Sequence, residues 1–260
     1  MVRSVCDLAA LRYPRLVTRA LALGVVLLLI ATGSASATGD ACRFDGNVFV
    51  HGRRDSGLVA LTFDACPTSH KPPFAADIVD ELERAGAPAT FFISGRWAEA
   101  HPAELRRLTA DPRFEIALHG YRHRHMTGAS RDAIVAEIDG GRAALRQLGE
   151  TPQALFRPPY GETPRVMQDA ARDAGVTPVL WDVAPGDPDP HETATRIKHD
   201  VLGHIAGGSI VVMHVNGRGV ATAEALPALL KGIEERGLRL ATVSDLVRDC
   251  ERNAVQRETP

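Results

Sequence analysis

Six reactive side chains stand out in this sequence because each follows an apolar run that reads as a β-strand. They are Asp64, His119, Arg157, Asp182, Asp187 and His214. Carboxylates, imidazoles and a guanidinium gathered in one place could carry out general acid–base hydrolysis. Parallel α/β folds place their active sites at the carboxyl ends of the strands. The positions of these residues therefore predict an active site at that end of a sheet.

Two of the histidines, His119 and His123, have the spacing of a pair of metal ligands. In a helical turn, residues i and i+4 lie on the same side, so both imidazoles could reach one ion. Solvated or capping histidines have the same spacing, and the spacing alone leaves both interpretations open. His125 adds a third imidazole, which a helical turn would direct elsewhere.

The segment FRPPYG at residues 156–161 is more specific, because its two prolines keep the backbone extended and fix the direction of Arg157. Arg157 could hold Asp64 in its ionised form, or it could be an exposed residue of a structural turn. His214, at the end of an apolar run, is either a hydrogen-bonded rim residue or a general acid or base. Trp181 is either a core residue or a wall of the cleft that faces a sugar.

Seven apolar runs alternate with amphipathic stretches along the chain. We expect strands at 58–63, 89–93, 115–118, 154–156, 178–183, 209–213 and 238–243. We expect helices at 74–85, after Pro102, and at 130–149, 163–174, 192–205 and 222–236. This alternation predicts parallel βαβ units, either closed as a barrel or open as a doubly wound sheet.

The composition is that of a globular protein. Of the 260 residues, 45% are hydrophobic and 24% are charged, which excludes a disordered chain. The net charge of −2 argues against a nucleic-acid-binding protein, and the 5% aromatic content argues against a stacking platform for single strands. Nothing in the sequence indicates an oligomeric state.

The first 37 residues read as a secretory signal peptide. Four arginines make the first 19 residues basic, residues 20–31 form an apolar run, and residues 35–37 read Ala-Ser-Ala. A membrane-spanning helix needs about 20 apolar residues, so an uncleaved anchor is the weaker alternative. We therefore expect a secreted or periplasmic protein with no stable membrane insertion after cleavage.

The remaining chain is expected to form one domain. Residues 38–57 are a poorly patterned lead-in, residues 58–250 form the catalytic domain, and the polar residues 251–260 read as a loose tail. Cys42 and Cys250 lie near the two ends of this chain, and a disulfide between them would join the termini. Connectivity cannot be read from sequence, so pairings with Cys66 stay open.

The ordered motifs along the chain resemble the polysaccharide deacetylases of carbohydrate esterase family four. The resemblance extends over about residues 58–247 and rests on LTFD at 61–64, ATFF at 89–92, His119 to His123, RPPYG at 157–161, Trp181 to Asp187, and Met213-His214. It implies an α/β fold, a distorted (β/α)7 barrel of mostly parallel strands. It also implies a hydrolase that removes acetyl groups from N-acetylated carbohydrates with one divalent metal, usually zinc.

The resemblance implies a role for each matching residue. Asp64 would be the catalytic base, Arg157 would orient that base, and His214 would be the general acid. His119 and His123 would be metal ligands. The Tyr160 amide would be an oxyanion contact, and Asp187 would be a supporting aspartate. The chemistry is consistent, because a metal lowers the pKa of its bound water towards about 7 while Asp64 takes the proton.

The first motif departs from the family. The family has two successive aspartates there, of which the second is a metal ligand, whereas this chain has Asp64-Ala65 followed by Cys66 in place of glycine. The segment Asp182-Val183-Ala184 also lacks an aspartate that many members carry, and Val215 follows His214 where many members have aspartate.

Three hypotheses follow. In the first, His119 and His123 hold the metal together with Asp64, Cys66 or His70, since zinc accepts nitrogen, oxygen and sulfur ligands. In the second, the protein is a metal-free amide hydrolase that acts on a small substrate. In the third, the barrel binds glycan without catalysis, since a fold does not dictate a function.

Overall fold

The protein is described here by a computed structural model that covers residues 41–69 and 73–258. The predicted signal peptide and His70 lie outside the described residues. All described residues fall within one compact unit, Ala37–Pro260. Within the described ranges, no helix is both long enough and apolar enough to cross a membrane.

Strands and helices alternate as the sequence predicts. The strands are β1 Arg43–Asp45, β2 Val48–His51, β3 Leu58–Ala65, β4 Ala89–Ile93, β5 Phe114–Leu118, β6 Leu155–Phe156, β7 Thr177–Pro178, β8 Ile210–His214 and β9 Arg239–Leu240. The helices are α1 Ala76–Ala85, α2 Gly95–Ala100, α3 Pro102–Ala110, α4 Arg131–Gln147, α5 Arg165–Asp173, α6 Ala194–His204, α7 Thr222–Glu235 and α8 Val243–Glu258.

Seven strands form one curled sheet in the order β7-β6-β5-β4-β3-β8, with β9 paired to the start of β3. Every pairing in this sheet is parallel. Beyond β7, Val183 forms a parallel bridge to Val211 of β8, which brings the two edges of the sheet together. The predicted fold class, a distorted (β/α)7 barrel of mostly parallel strands, is confirmed.

The alternation of side chains along β3 separates two environments. Val59, Leu61, Phe63 and Ala65 pack in the outer apolar layer beneath the helices. Because successive side chains of a strand point to opposite faces, the residues between them, which end with Asp64, face the barrel interior. The sequence of β3 thus places its reactive carboxylate inside the barrel, at the carboxyl end.

The amino-terminal end of the barrel is closed by two elements that the sequence analysis did not predict. The segment read as a lead-in contains the antiparallel hairpin β1–β2, whose Phe49 packs fully buried in the inner cluster. Helix α8 adds Val243 and Leu246 to the same cluster. Residues 251–258 continue α8 as helix instead of forming the expected loose tail, although their described side chains are mostly exposed.

Two predicted strands are shorter than expected. The run at 238–243 forms only the two residues of β9, since α8 begins at Val243. The run at 178–183 was expected to be one strand, but only Pro178 belongs to β7. Val179 instead forms a bridge to Phe49 of the hairpin, and Val183 forms a bridge to Val211 of β8.

A disulfide joins Cys42 to Cys250, as predicted, with Cα atoms 6.1 Å apart and a sequence separation of 208. Cys42 precedes β1 and Cys250 lies in α8, so the bond connects the two elements that close the barrel. Cys66 is free and buried.

We predict that the Cys42→Ser/Cys250→Ser variant loses about 2–4 kcal/mol of unfolding free energy, because a long covalent loop restricts the unfolded chain. Urea denaturation of the variant measures this loss, and the reduced unmodified protein should match it. An unchanged unfolding midpoint would show that the bond does not stabilise the closed end.

Candidate active site

A buried ion pair lies at the carboxyl end of β3. The Arg157 guanidinium is fully buried and donates through Nη1 to Asp64 Oδ1 at 2.7 Å and to Thr62 Oγ1 at 2.8 Å. It also lies 3.9 Å from the centre of the Phe92 ring. Burial raises the pKa of Asp64, but the charge of Arg157, the charges of His119 and His214 and the hydrogen bond from Arg157 together outweigh burial, so that the pKa lies below its usual value. Asp64 is therefore held as a carboxylate.

His119 follows β5, and its ring is fixed by the backbone of Arg157. Its Nδ1 lies 2.8 Å from the Arg157 carbonyl oxygen, which can only accept, so Nδ1 carries the proton. Burial lowers the pKa of His119, and the ring is therefore neutral with a free lone pair on Nε2. Within the described residues this buried Nε2 has no hydrogen-bond partner, and it lies 3.6 Å from Asp64 Oδ2.

His123 reaches His119 through a loop and not through a helical turn. The two ring centres are 4.8 Å apart. The loop is shaped by Glu137 of α4, whose buried carboxylate accepts hydrogen bonds from the amides of Tyr121 and Arg122. Burial, aided by the neighbouring His119, lowers the pKa of His123 to about 3, so this imidazole is also neutral.

Two residues other than glycine adopt left-handed backbone conformations in the described chain, and both lie at this site. His123 and Tyr160 each have a φ of 60°. Such conformations cost free energy and cluster where a surrounding structure fixes functional groups. The Tyr160 ring stacks on His125, with ring centres 4.0 Å apart, and His125 is bound in turn to Glu162. His125 therefore supports the wall of the site instead of joining the histidine pair.

His214 ends β8, beside Asp64 of β3. Its Nδ1 lies 2.9 Å from Asp187 Oδ1, and its backbone amide donates to Asp187 Oδ2 at 2.7 Å. Burial lowers the pKa of His214, but the hydrogen bond and charge of Asp187 outweigh burial and bring the pKa above its usual value. Thr222 also donates to Asp187, which fixes the carboxylate.

These residues line one cavity of about 280 Å³. Its walls include Asp64, Cys66, His119, His123, Pro158, Tyr160, Trp181, Asp187, His214 and Arg218. Trp181 is half-buried and its ring stands 5.5 Å from the Arg157 guanidinium. A larger cavity, of about 430 Å³, lies beside the disulfide, but none of the predicted site residues lines it.

The structure separates Asp182 from this site. Its carboxylate accepts hydrogen bonds from Ser209 and from the amide of Ile210, and it pairs with Arg54 at 2.8 Å. Asp182 therefore fixes the junction between β8 and the segment after β7. Of the six strand-end residues, the other five approach or line the cavity.

Sequence reasoning missed Arg218, which lines the cavity from the loop after β8. Its positive charge lowers the pKa values of His123 and His214 as a lesser contribution to each. The signal was its position four residues after His214, within a loop expected to reach the carboxyl end of the barrel.

The residues present fit a metal ion. Ligand atoms of Cys66, His119 and His123 all lie within 4.8 Å of one another. Zinc binds nitrogen and sulfur ligands of these types, and a metal-binding histidine usually donates its other ring N–H to a carbonyl or carboxylate. The bond from His119 Nδ1 to the Arg157 carbonyl has this form, and the unpartnered Nε2 faces the cluster.

The sequence comparisons agree on one protein family. The sequence profile described as "Polysaccharide deacetylase" matches residues 51–179. A chitooligosaccharide deacetylase from Sinorhizobium fredii is 30% identical over 60% of this chain and 71% of its own length. A peptidoglycan-N-acetylglucosamine deacetylase from Bacillus cereus is 28% identical over 74% of this chain and 88% of its own length.

The chain spans about a third of another relative. A bifunctional xylanase/deacetylase from Pseudobutyrivibrio xylanivorans is 28% identical over 86% of this chain but only 35% of its own length.

Solved structures have the same fold. A peptidoglycan N-acetylglucosamine deacetylase superposes with a TM-score of 0.71 at 26% identity, covering 77% of this chain and 92% of the other. A pseudoenzyme of carbohydrate esterase family four from Bacillus anthracis gives a TM-score of 0.70 at 22% identity, covering 78% and 69%. At that identity the likeness concerns the fold alone.

We predict that Arg157→Met costs about 3–5 kcal/mol of unfolding free energy, because it leaves the Asp64 carboxylate buried without a partner. Urea denaturation tests this. The matched control is Asp64→Asn/Arg157→Met, which should recover part of the loss because no unpaired charge remains. The double variant being as unstable as Arg157→Met would contradict the ion pair's role.

Proposed function

This chain belongs to the polysaccharide deacetylase family (carbohydrate esterase family four), and from this premise we propose that it is an exported hydrolase. It removes N-acetyl groups from an N-acetylglucosamine-containing polysaccharide by metal-assisted attack of water. One observation carries the proposal: an ionised Asp64 and a His214 with a raised pKa line the same cavity. A base and an acid are thus available together at neutral pH.

Asp64 acts as the base. Its Oδ1 is held by Arg157, and Oδ2 is directed towards the histidine pair, where it can take a proton from the attacking water. Arg157 is a positioning residue, because it touches the base and not the cavity's contents. The Tyr160 amide, on the cavity wall, would donate to the oxyanion that forms at the acetyl carbonyl.

His214 acts as the acid. Bound to Asp187 through Nδ1, it presents Nε2 to the cavity and donates that proton to the leaving amine. Asp187 stabilises the imidazolium and fixes the direction of the ring, as a carboxylate behind a catalytic histidine does in other hydrolases.

A divalent metal, for which we propose zinc, would supply Lewis acidity that polarises the acetyl carbonyl and acidifies the attacking water. His119 and His123 would hold it, since both are neutral and their rings are fixed by neighbouring groups.

The substrate class rests on the relatives and on the shape of the cavity. The two relatives matched over most of their own length carry names that refer to N-acetylglucosamine or to chitooligosaccharide. Trp181 and Tyr160 offer aromatic surfaces at the cavity wall, which suit the apolar face of a sugar ring. The disulfide suits an oxidising compartment, so we propose secretion or a periplasmic location.

We predict that Asp64→Asn and His214→Ala each lower turnover about 10²- to 10⁴-fold, the usual contribution of a positioned acid or base. Acetate release from an N-acetylglucosamine oligomer measures turnover. Asp173→Asn, an exposed aspartate paired with Arg131, is the matched control and should keep full activity. Full activity in either site variant would remove that residue from the mechanism.

We predict that Asp187→Asn moves the alkaline limb of the pH–rate profile to lower pH. The acid must be protonated to work, so activity falls as pH rises through the pKa of His214, which Asp187 raises. The control is Asp182→Asn, whose carboxylate lies outside the cavity and which should leave that limb in place. A limb that does not move in Asp187→Asn would exclude His214 as the titrating acid.

A further inference from the structure

We propose that Cys66 is the third protein ligand of the metal, completing a Cys-His-His site with His119 and His123. This inference rests on the proposed function and specifies how the site is built where Ala65 offers no ligand. It also leaves Asp64 outside the ligand set, so that one carboxylate is not required both to bind the ion and to take a proton.

The direction of the chain at the end of β3 supports this ligand. Ala65 packs in the outer apolar layer, whereas Asp64 and Cys66 both line the cavity, as expected for residues two apart on a strand. The side chain that follows Asp64 on the inner face is therefore that of Cys66. Cys66 directly follows the last residue of β3, so a ligand at this position approaches the histidine pair from the end of that strand.

The backbone around Cys66 is fixed on both sides. Ser94 donates through its hydroxyl to the Ala65 carbonyl at 2.8 Å, and Asn216 donates through Nδ2 to the Cys66 carbonyl at 2.9 Å. Both donors are buried. The thiol is therefore placed by structure already present, as a precise metal site requires.

The second observation is the lone pair of His119 Nε2. This atom belongs to a side chain only 2% exposed and has no hydrogen-bond partner in the described chain. A buried polar atom without a partner costs free energy unless something binds it. Cys66, His119 and His123 each offer one ligand atom, and these three atoms lie within 4.8 Å of one another. In a tetrahedral zinc site each ligand atom lies about 2.0–2.3 Å from the ion. The three ligand atoms would therefore need to move only slightly closer together to bind it.

Asp64 is less suited to be the ligand. Its Oδ1 is held by Arg157 at 2.7 Å, and Oδ2, which lies 3.6 Å from His119 Nε2, is the oxygen that takes the proton from water, so a bond from Oδ2 to the ion would remove the base. In the described part of the chain, no ion pair holds the Cys66 side chain in this way. Burial raises the pKa of its thiol, so the free protein holds it protonated, and binding of the ion releases that proton to solvent.

Cobalt(II) substitution tests this ligand set directly, because a cobalt–thiolate bond adds charge-transfer absorption in the near ultraviolet that nitrogen and oxygen ligands do not give. The experiment uses a Cys6→Ser variant as the parent protein, because Cys66 is then the one thiol outside the disulfide. We expect one equivalent of cobalt to produce both the thiolate band and visible ligand-field bands. Cys66→Ser in this background should lose the thiolate band and bind cobalt about tenfold or more weakly. His199→Ala, an exposed histidine of α6 outside the cluster, should keep both.

The possible results test the Cys66 ligand separately from the proposed metal-assisted hydrolysis. Cobalt bound with ligand-field bands but without a thiolate band would overturn the Cys66 assignment and leave metal-assisted hydrolysis standing. A thiolate band that persists in Cys66→Ser would overturn it as well. No cobalt binding would overturn both the ligand set and the proposed metal. The band in the parent protein decides the question even if Cys66→Ser fails to fold.

Discussion

The site depends on burying one charge pair inside the barrel. A guanidinium with no exposed surface must have a carboxylate beside it, since desolvation of an unpaired ion costs several kcal/mol. Arg157 and Asp64 meet this constraint at 2.7 Å, on strands that are not neighbours in the sheet. The same residue also fixes an imidazole, because the Arg157 carbonyl orients His119. Asp64 and His119 are thus positioned by a single residue.

A second constraint comes from the closed end of the barrel. The hairpin and α8 bury Phe49, Val243 and Leu246 among the strands, and the disulfide connects the two elements. These contacts lie at the amino-terminal end, so they stabilise the barrel without occupying the cavity. Loops form the carboxyl end of the barrel, where Glu137 and the left-handed backbone conformations of His123 and Tyr160 set the direction of the side chains.

Sequence reasoning could predict what depends on periodicity and position along strands. Asp64, His119, Arg157 and His214 meet because parallel strands end at one edge, and the pairing of Cys42 with Cys250 follows from their places near the termini. It could not predict the hairpin or α8, whose short apolar patterns are ordered by tertiary contacts. The spacing of His119 and His123 left their roles open, because spacing alone does not reveal that Glu137 binds the amides of the loop between them. Asp182 was grouped with the site because strand position does not show that its partners are Ser209, Ile210 and Arg54.

We propose that the cavity is a working metal site although alanine stands at position 65. The most direct measurement is the zinc content of the purified protein after exposure to zinc and removal of excess ion, beside His119→Ala. The account predicts close to one zinc per chain, lost in His119→Ala because the buried Nε2 is removed. Absence of zinc from the unmodified protein would contradict it, and would leave the ionised Asp64 and the His214–Asp187 pair without a metal to act with.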